Sequence, residues 1–141
     1  LVTTVDLSNT YLDWAKRNLA ANGFTGAAYP TIRDDVRDFL ATAGGKKETW
    51  DIIIADPPTF SNSKAFSVDF DVNVDWPELV TACLGVLAKD GVLYFSTNSR
   101  RFKWEPDRIA AQSQDISAST IPPDFRDKRI HRAWRIARPG I

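Results

Sequence analysis

The run Trp50-Asp51-Ile52-Ile53-Ile54-Ala55, followed at once by Asp56-Pro57-Pro58, restricts the fold more than any other segment of this chain. Its β-branched residues follow one another without polar alternation, the pattern of a strand covered on both faces in the middle of a parallel sheet. The two prolines after it remove two backbone donors and restrict φ, so the strand ends in a stiff loop whose carbonyls are free to accept hydrogen bonds. On either side, short apolar runs alternate with helix-length amphipathic segments, without internal repeats or low-complexity tracts. That alternation specifies an α/β fold.

Residues 1–6 read as a strand ending in Asp6, after which Ser8 caps a helix with Leu12, Ala15 and Leu19 on one face and Asn22-Gly23 at its end. A weaker strand follows near 27–33, where Pro30 argues for an edge or irregular position. Asp34-Asp35 opens a short helix carrying Val36, Phe39 and Leu40, closed by Gly44-Gly45. The loop 56–73 is long beside the roughly 2–6 residues usual in α/β connections, and excess length of this kind often accompanies function. A helix over 76–87, a turn at Lys89-Asp90-Gly91 and a buried strand at 92–96 come next. Beyond Asn98 the expectation is a helix near 106–112, a strand near 115–119, an exposed connection at Ile121-Pro122-Pro123-Asp124 and a last strand near 132–137 packed through Trp134 and Ile136. No domain boundary is evident.

The formal net charge of zero hides a polarised chain: residues 1–96 carry 8 Lys/Arg against 13 Asp/Glu, and residues 97–141 carry 10 against 5. The basic third, with Arg100, Arg101, Lys103, Arg126, Lys128, Arg129 and Arg132 and with Phe102 and Trp104 interleaved, suits phosphate contact and base stacking, or else an ordinary solvated surface. No apolar stretch approaches the roughly 18 residues needed to span a bilayer, and no leader is recognisable, so a cytoplasmic location is expected. The single cysteine, Cys83, lies among Leu79, Val80, Leu84 and Leu87 at helical spacing and reads as a buried small hydrophobe. A strand that opens at Leu1, in a chain without methionine, is the expectation for a sequence from which a preceding segment has been cut.

Ligands of open parallel sheets gather at the carboxyl ends of the strands. Asp6, Asp34/Asp35 and Asp56 each stand at such an end. Asp6 is placed to accept hydrogen bonds from the two hydroxyls of an adenosine ribose, and Asp35 to accept from the adenine amine; each equally suits a strand end or helix N-cap with no ligand. The sharpest motif is Asp56-Pro57-Pro58-Thr59-Phe60, in which an acidic side chain, a fixed carbonyl and an aromatic ring can together clamp a planar base beside a methyl donor.

The succession Thr3-Thr4-Val5-Asp6-Leu7-Ser8, Tyr11-Leu12, Trp14-Ala15, Asn18-Leu19 and Asn22-Gly23, then Asp35, then Asp56-Pro57-Pro58-Thr59-Phe60-Ser61-Asn62-Ser63-Lys64, resembles the class I S-adenosylmethionine-dependent methyltransferases. Within them it is similar to the C-terminal, guanine-N7 half of the bifunctional bacterial large-subunit ribosomal RNA methyltransferases. The similarity continues through Phe95-Ser96-Thr97-Asn98-Ser99-Arg100-Arg101-Phe102 to Asp124-Phe125, Arg129, His131 and Trp134. It implies a doubly wound, mainly parallel, seven-stranded Rossmann-like sheet truncated at its first strand, with residues 1–141 a partial catalytic domain. It further implies S-adenosylmethionine as cofactor, with Asp6 holding the ribose, Asp35 the adenine, Leu7, Val36 and Asp56 also among the cofactor-binding residues, and the Asp56 loop holding the target base. Asp56, Pro57, Pro58 and Phe60 would form the catalytic loop, and Lys64, Arg100, Arg101 and Lys103 would contact 23S rRNA; no metal is implied. The family's glycine-rich cofactor loop would lie before Leu1. Exposed strand edges around that position lead us to expect self-association.

Guanine N7 carries an unprotonated lone pair, so its methylation asks mainly for alignment, with Asp56 positioning the base and Phe60 stacking on it. Cytosine C5 methylation needs a cysteine nucleophile, and the segment after the 92–96 strand has none. His131 suits a structural role better than a general base. Two rival readings stand beside this one: a fragment of a Rossmann-type nucleotide-dependent oxidoreductase, which leaves the 56–60 loop unexplained, and a non-catalytic RNA- or partner-binding remnant.

Overall fold

The computed structural model describes residues 1–61 and 69–139, so the proposed RNA contact Lys64 lies outside the described residues. They fall into two compact units, Leu1–Ala43 and Gly44–Ile141.

In the first unit, β1 (Thr4–Asp6) pairs in parallel with β2 (Thr31–Arg33), with Asp6 opposite Arg33. Between them α1 (Asn9–Ala21) starts on Ser8, whose Oγ accepts from the Tyr11 N–H, and turns Leu12 into the core. Its C-terminus is a Schellman arrangement: Phe24 N donates to Leu19 O, Gly23 N donates to Ala20 O, and Gly23 takes the positive φ of 79° that a side chain would resist. The expected 27–33 strand is confined to its last three residues: Val2 N donates to Ala28 O at 2.9 Å and Thr4 N to Pro30 O at 3.0 Å, but Pro30 has no N–H to continue the ladder. α2 (Val36–Gly45) follows, with Leu40 and Ala43 buried.

In the second unit β3 (Trp50–Ala55) pairs in parallel with β6 (Leu87–Thr97), β8 (Arg132–Ala137) lies antiparallel against β6, and β7 (Gln112–Asp115) lies antiparallel against β8. The strand order is β3-β6-β8-β7, and only β8 runs against the others. Within the long connection after β3, β4 (Phe60–Ser61) and β5 (Phe70–Asp71) form a short antiparallel ladder. α3 (Val72–Gly85) begins four residues before the expected start, after Asp71, whose carboxylate caps the Asn73 N–H; Pro77 lies inside the helix. The turn expected at Lys89-Asp90-Gly91 is a bulge within β6, where the register against β3 jumps. Gly91 is required there: a Cβ would stand 2.9 Å from both Asp51 O and the Leu87 side chain. The expected helix and strand over 106–119 are in fact a 3-10 turn (Pro106–Arg108), β7, and a helical turn α4 (Ser117–Thr120).

The core of this unit is aromatic. Trp76 of α3, Phe95 of β6, Trp134 of β8 and Phe102 are buried, and Trp104 is stacked between Trp76 and Trp134 at 4.4 and 4.6 Å. Phe102 and Trp104 are therefore not available to stack on bases as the sequence suggested: both rings pack in the interior while Arg101 and Lys103 alternate outward. β3 also departs from expectation. Its Ile53 and Ala55, beside Leu93 and Phe95, face the core, but Ile52 and Ile54 are 63% and 77% exposed, in a row with Tyr94 on the opposite face. Among the described residues β3 has β6 as its one hydrogen-bonded neighbour. A sequence suited to two covered faces here has one, because α3 and the aromatic cluster lie on a single side of the sheet.

Candidate active site

At the carboxyl ends of β1 and β2 the first unit gathers most of the residues expected to hold a cofactor. The half-buried Asp6 accepts from the Ser8 N–H at 2.7 Å through Oδ1; its Oδ2 has no partner among the described residues. Leu7 is half-buried and its carbonyl accepts from Arg33 Nε at 3.2 Å. The Asp34 N–H donates to the Asp6 carbonyl at 3.3 Å, so the two strand ends are tied directly.

Asp35 is 5% exposed and is the N-cap of α2: Oδ1 accepts from the Arg37 backbone N–H at 2.8 Å. The Arg37 guanidinium closes on the same carboxylate, Nε to Oδ1 at 3.0 Å and Nη2 to Oδ2 at 2.7 Å. These hydrogen bonds hold the Asp35 carboxyl below its usual pKa of 3.8, against the opposing effect of burial. Val36, next in the chain, is exposed. An adenine amine reaching Asp35 would share Oδ2 with Arg37.

The second unit builds the loop 56–60 as a braced structure. Ala55 is in register with Phe95, which sets Asp56 beside Ser96, and the Ser96 hydroxyl donates to Asp56 Oδ1 at 2.7 Å. Asp56 is exposed, and its Oδ2 has no partner among the described residues. Pro57 is half-buried and Pro58 exposed. The Thr59 hydroxyl donates to Asn98 Oδ1 at 3.1 Å, and the Thr59 carbonyl accepts from the Val72 N–H, also at 3.1 Å. Phe60 is fixed through its backbone opposite Asp71 while its ring is 54% exposed. A second tie continues the bracing: Ser99 Oγ donates to Asn73 Oδ1 at 2.8 Å, and Asn73 Nδ2 donates to the Asp71 carboxylate at 2.8 Å. Loop, strand end and the first turn of α3 thus form one hydrogen-bonded frame that presents an acceptor and an aromatic face to solvent.

The expected RNA contacts among the described residues are all exposed. Arg100 is paired with Asp127 at 3.1 Å, while Arg101 and Lys103 flank the buried Phe102 and have no ion-pair partner among the described residues. His131 Nε2 lies 2.9 Å from Thr120 Oγ1, a structural contact. Cys83 is 2% exposed and burial pushes its thiol up to about 12, so it is no nucleophile at neutral pH. Sequence reasoning passed over Ser96, Asn98 and Arg37. The polar run Ser96-Thr97-Asn98-Ser99 closing an apolar strand was the available signal for the first two; an arginine two residues beyond an N-cap carries none.

No family model matches the chain. Over 94% of its length it is 47% identical to the ribosomal RNA large subunit methyltransferase K of Neisseria meningitidis serogroup B. Over 95% it is 46% identical to the ribosomal RNA large subunit methyltransferase K/L of Magnetococcus marinus. The chain spans 38% of the length of the first protein and 19% of the second. Among solved structures, a methyltransferase complexed with SAH superposes with a TM-score of 0.81 at 25% identity, covering 95% of this chain and 38% of that one. With its β3-end carboxylate, proline-stiffened loop and reversed β8, the chain has a methyltransferase fold and is a sequence relative of the large-subunit ribosomal RNA methyltransferases K and K/L.

Proposed function

We propose that this chain contributes the base-clamping part, and residues of the cofactor pocket, to an S-adenosylmethionine-dependent methyltransferase acting on guanine N7 of 23S ribosomal RNA, and that residues 1–141 belong to its catalytic domain. The observation that carries the reading is the braced 56–60 loop, with its exposed carboxylate and exposed phenyl ring at the carboxyl end of β3. The names of the sequence relatives support the RNA substrate, and the solved neighbour with SAH supports the cofactor. Neither gives reason to prefer a nucleotide-dependent oxidoreductase.

The residues present fit the cofactor at the ribose end, where Asp6 Oδ2 is an unused acceptor beside Leu7; Asp35 and Val36 would border the adenine. When bound, S-adenosylmethionine supplies a methyl group already activated on a sulfonium. The chain's own residues then hold the base: Asp56 accepts from its hydrogen-bonding edge, Phe60 stacks on its face, and the two prolines keep the loop from adjusting. No side chain need remove a proton, because N7 is unprotonated in neutral guanine. Arg101 and Lys103, with Arg100 and Lys64, would neutralise backbone phosphates. The exposed Ile52, Ile54 and Tyr94, and the edge of β3 that has no strand partner among the described residues, support self-association as a further property.

Mapping large-subunit rRNA by mass spectrometry from cells lacking the full-length protein, and from cells complemented with it, tests the reading. One guanine should lose its methyl on deletion and regain it on complementation, and borohydride reduction with aniline scission, which cleaves at N7-methylguanine, should cut there. A methyl on cytosine, or no lost methyl, would sink the proposal.

A further inference from the structure

We infer that Asn98 is a specificity-determining residue of this site: its carboxamide nitrogen donates to the exocyclic oxygen of the target base while Asp56 accepts from the ring N–H beside that oxygen. The inference deepens the proposal that the 56–60 loop clamps a base, and rests on it.

The argument begins with how each polar group is used. Thr59 Oγ1 donates to Asn98 Oδ1 at 3.1 Å, which occupies the acceptor end of the carboxamide and turns the Nδ2 end, a donor only, outward. Nδ2 has no partner among the described residues, and Asn98 is exposed. Two positions earlier Ser96 donates to Asp56 Oδ1 at 2.7 Å, leaving Oδ2 as acceptor. Ser96 and Asn98 lie on the same side of the chain, since the burial alternation of β6 runs on past its end with Thr97 and Ser99 inward. The 56–60 loop and the end of β6 therefore carry an amide donor and a carboxylate acceptor in one hydrogen-bonded frame, with the exposed Phe60 ring in the same loop, and Thr59 and Ser96 fix which is which.

That order selects among bases. A carbonyl adjacent to a ring N–H is found in guanine, as O6 and N1–H, and in uracil, as O4 and N3–H. Adenine and cytosine present the reverse, an amine beside a bare ring nitrogen, and would set donor against donor and acceptor against acceptor. Guanine alone adds an amine at position 2, a second donor for the Asp56 carboxylate. Held by O6, N1–H and the 2-amine, guanine keeps N7 free of any contact from this pair.

Single-turnover methyl transfer by the full-length protein onto RNA bearing guanosine or 2-aminopurine riboside at the target position tests this: the second base lacks O6 and also the N1 proton, and since the loss at N1 falls on wild type and Asn98→Ala alike, the difference between them reads the contact to O6. The wild type should lose more on that exchange than Asn98→Ala does, by about tenfold, the worth of one hydrogen bond. Asn98→Asp, which keeps the shape but replaces the donor with a second carboxylate, should lose at least about a hundredfold on guanosine. Its affinity for S-adenosylhomocysteine should stay within about twofold of wild type, which shows that the fold survives. Equal sensitivity of wild type and Asn98→Ala to loss of O6 overturns the role of Asn98 and leaves the guanine reading intact. A methyl that maps to another base overturns both.

Discussion

Asp35 stands two residues beyond the parallel strand β2 and Asp56 directly after β3, yet the structure treats them differently. Asp35 is 5% exposed and receives three N–H donors from Arg37. Asp56 is exposed and receives a single hydroxyl, from Ser96. The position of Asp35 is accounted for by the fold alone, as N-cap and ion-pair partner of the first turn of α2. Nothing in the fold requires the charge of Asp56, while prolines, Thr59 and Asn98 are all engaged in holding its loop still. A carboxylate that the fold uses and one that it merely holds should fail differently when replaced.

The largest effect is expected at Asp56. Asp56→Ala should lower methyl transfer by about a hundredfold or more, the scale of a misplaced reacting group. Its urea unfolding midpoint should move by no more than about 0.5 kcal/mol equivalent, as for an ordinary surface substitution. A clear loss of stability would break the comparison by making Asp56 structural as well.

Asp35 should behave the opposite way. Asp35→Asn should cost on the order of 1 kcal/mol of stability at neutral pH, the cap and the pair together, discounted because the Arg37 side chain is 36% exposed. The pH dependence fixes the sign. The folded carboxyl lies below its usual 3.8, so the charged form favours the folded state; that stability is complete above the usual value and is lost as pH falls through the lowered one. Urea midpoints measured from pH 7 downward should show wild type ahead of Asp35→Asn at neutral pH, with the gap closing below pH 3.8. A gap that widens on acidification would refute the assignment.

The same contrast explains how far the sequence could be read. Where one local rule acts alone the reading is good: Ser8 and Asn22-Gly23 bound α1, and the run from Trp50 does form a strand that ends at Ala55, just before Asp56. It fails where two rules compete. Gly91 reads as a turn but serves a bulge at which only glycine clears Asp51 O. The apolar spacing reads as a helix from Trp76, yet Asp71 caps it four residues earlier, at Val72. Phe102 and Trp104 read as base-stacking residues among cations, but their alternation with Arg101 and Lys103 carries them into the Trp76–Trp134 cluster. Of the site, the carboxylates were legible because each ends a strand. Their partners were not, since Arg37 acts through side-chain reach, and Ser96 and Asn98 act across the β3–β6 register, which no stretch of sequence contains.

Ser96 should give the smallest effect, and the one that most sharpens the contrast. Its hydroxyl is the one partner Asp56 has among the described residues, so Ser96→Ala frees the carboxylate to rotate without removing it. The loss should be about three- to tenfold, the scale of one hydrogen bond, and should fall on kcat with KM little changed, because a loosely held acceptor still binds the base but aligns it less often. Ser96→Thr, which retains the hydroxyl, should recover most of it. If Ser96→Ala were as inactive as Asp56→Ala, or if threonine failed to rescue, Ser96 would be acting on something other than the orientation of Asp56, and the carboxylate would not be the lightly held group that the geometry describes.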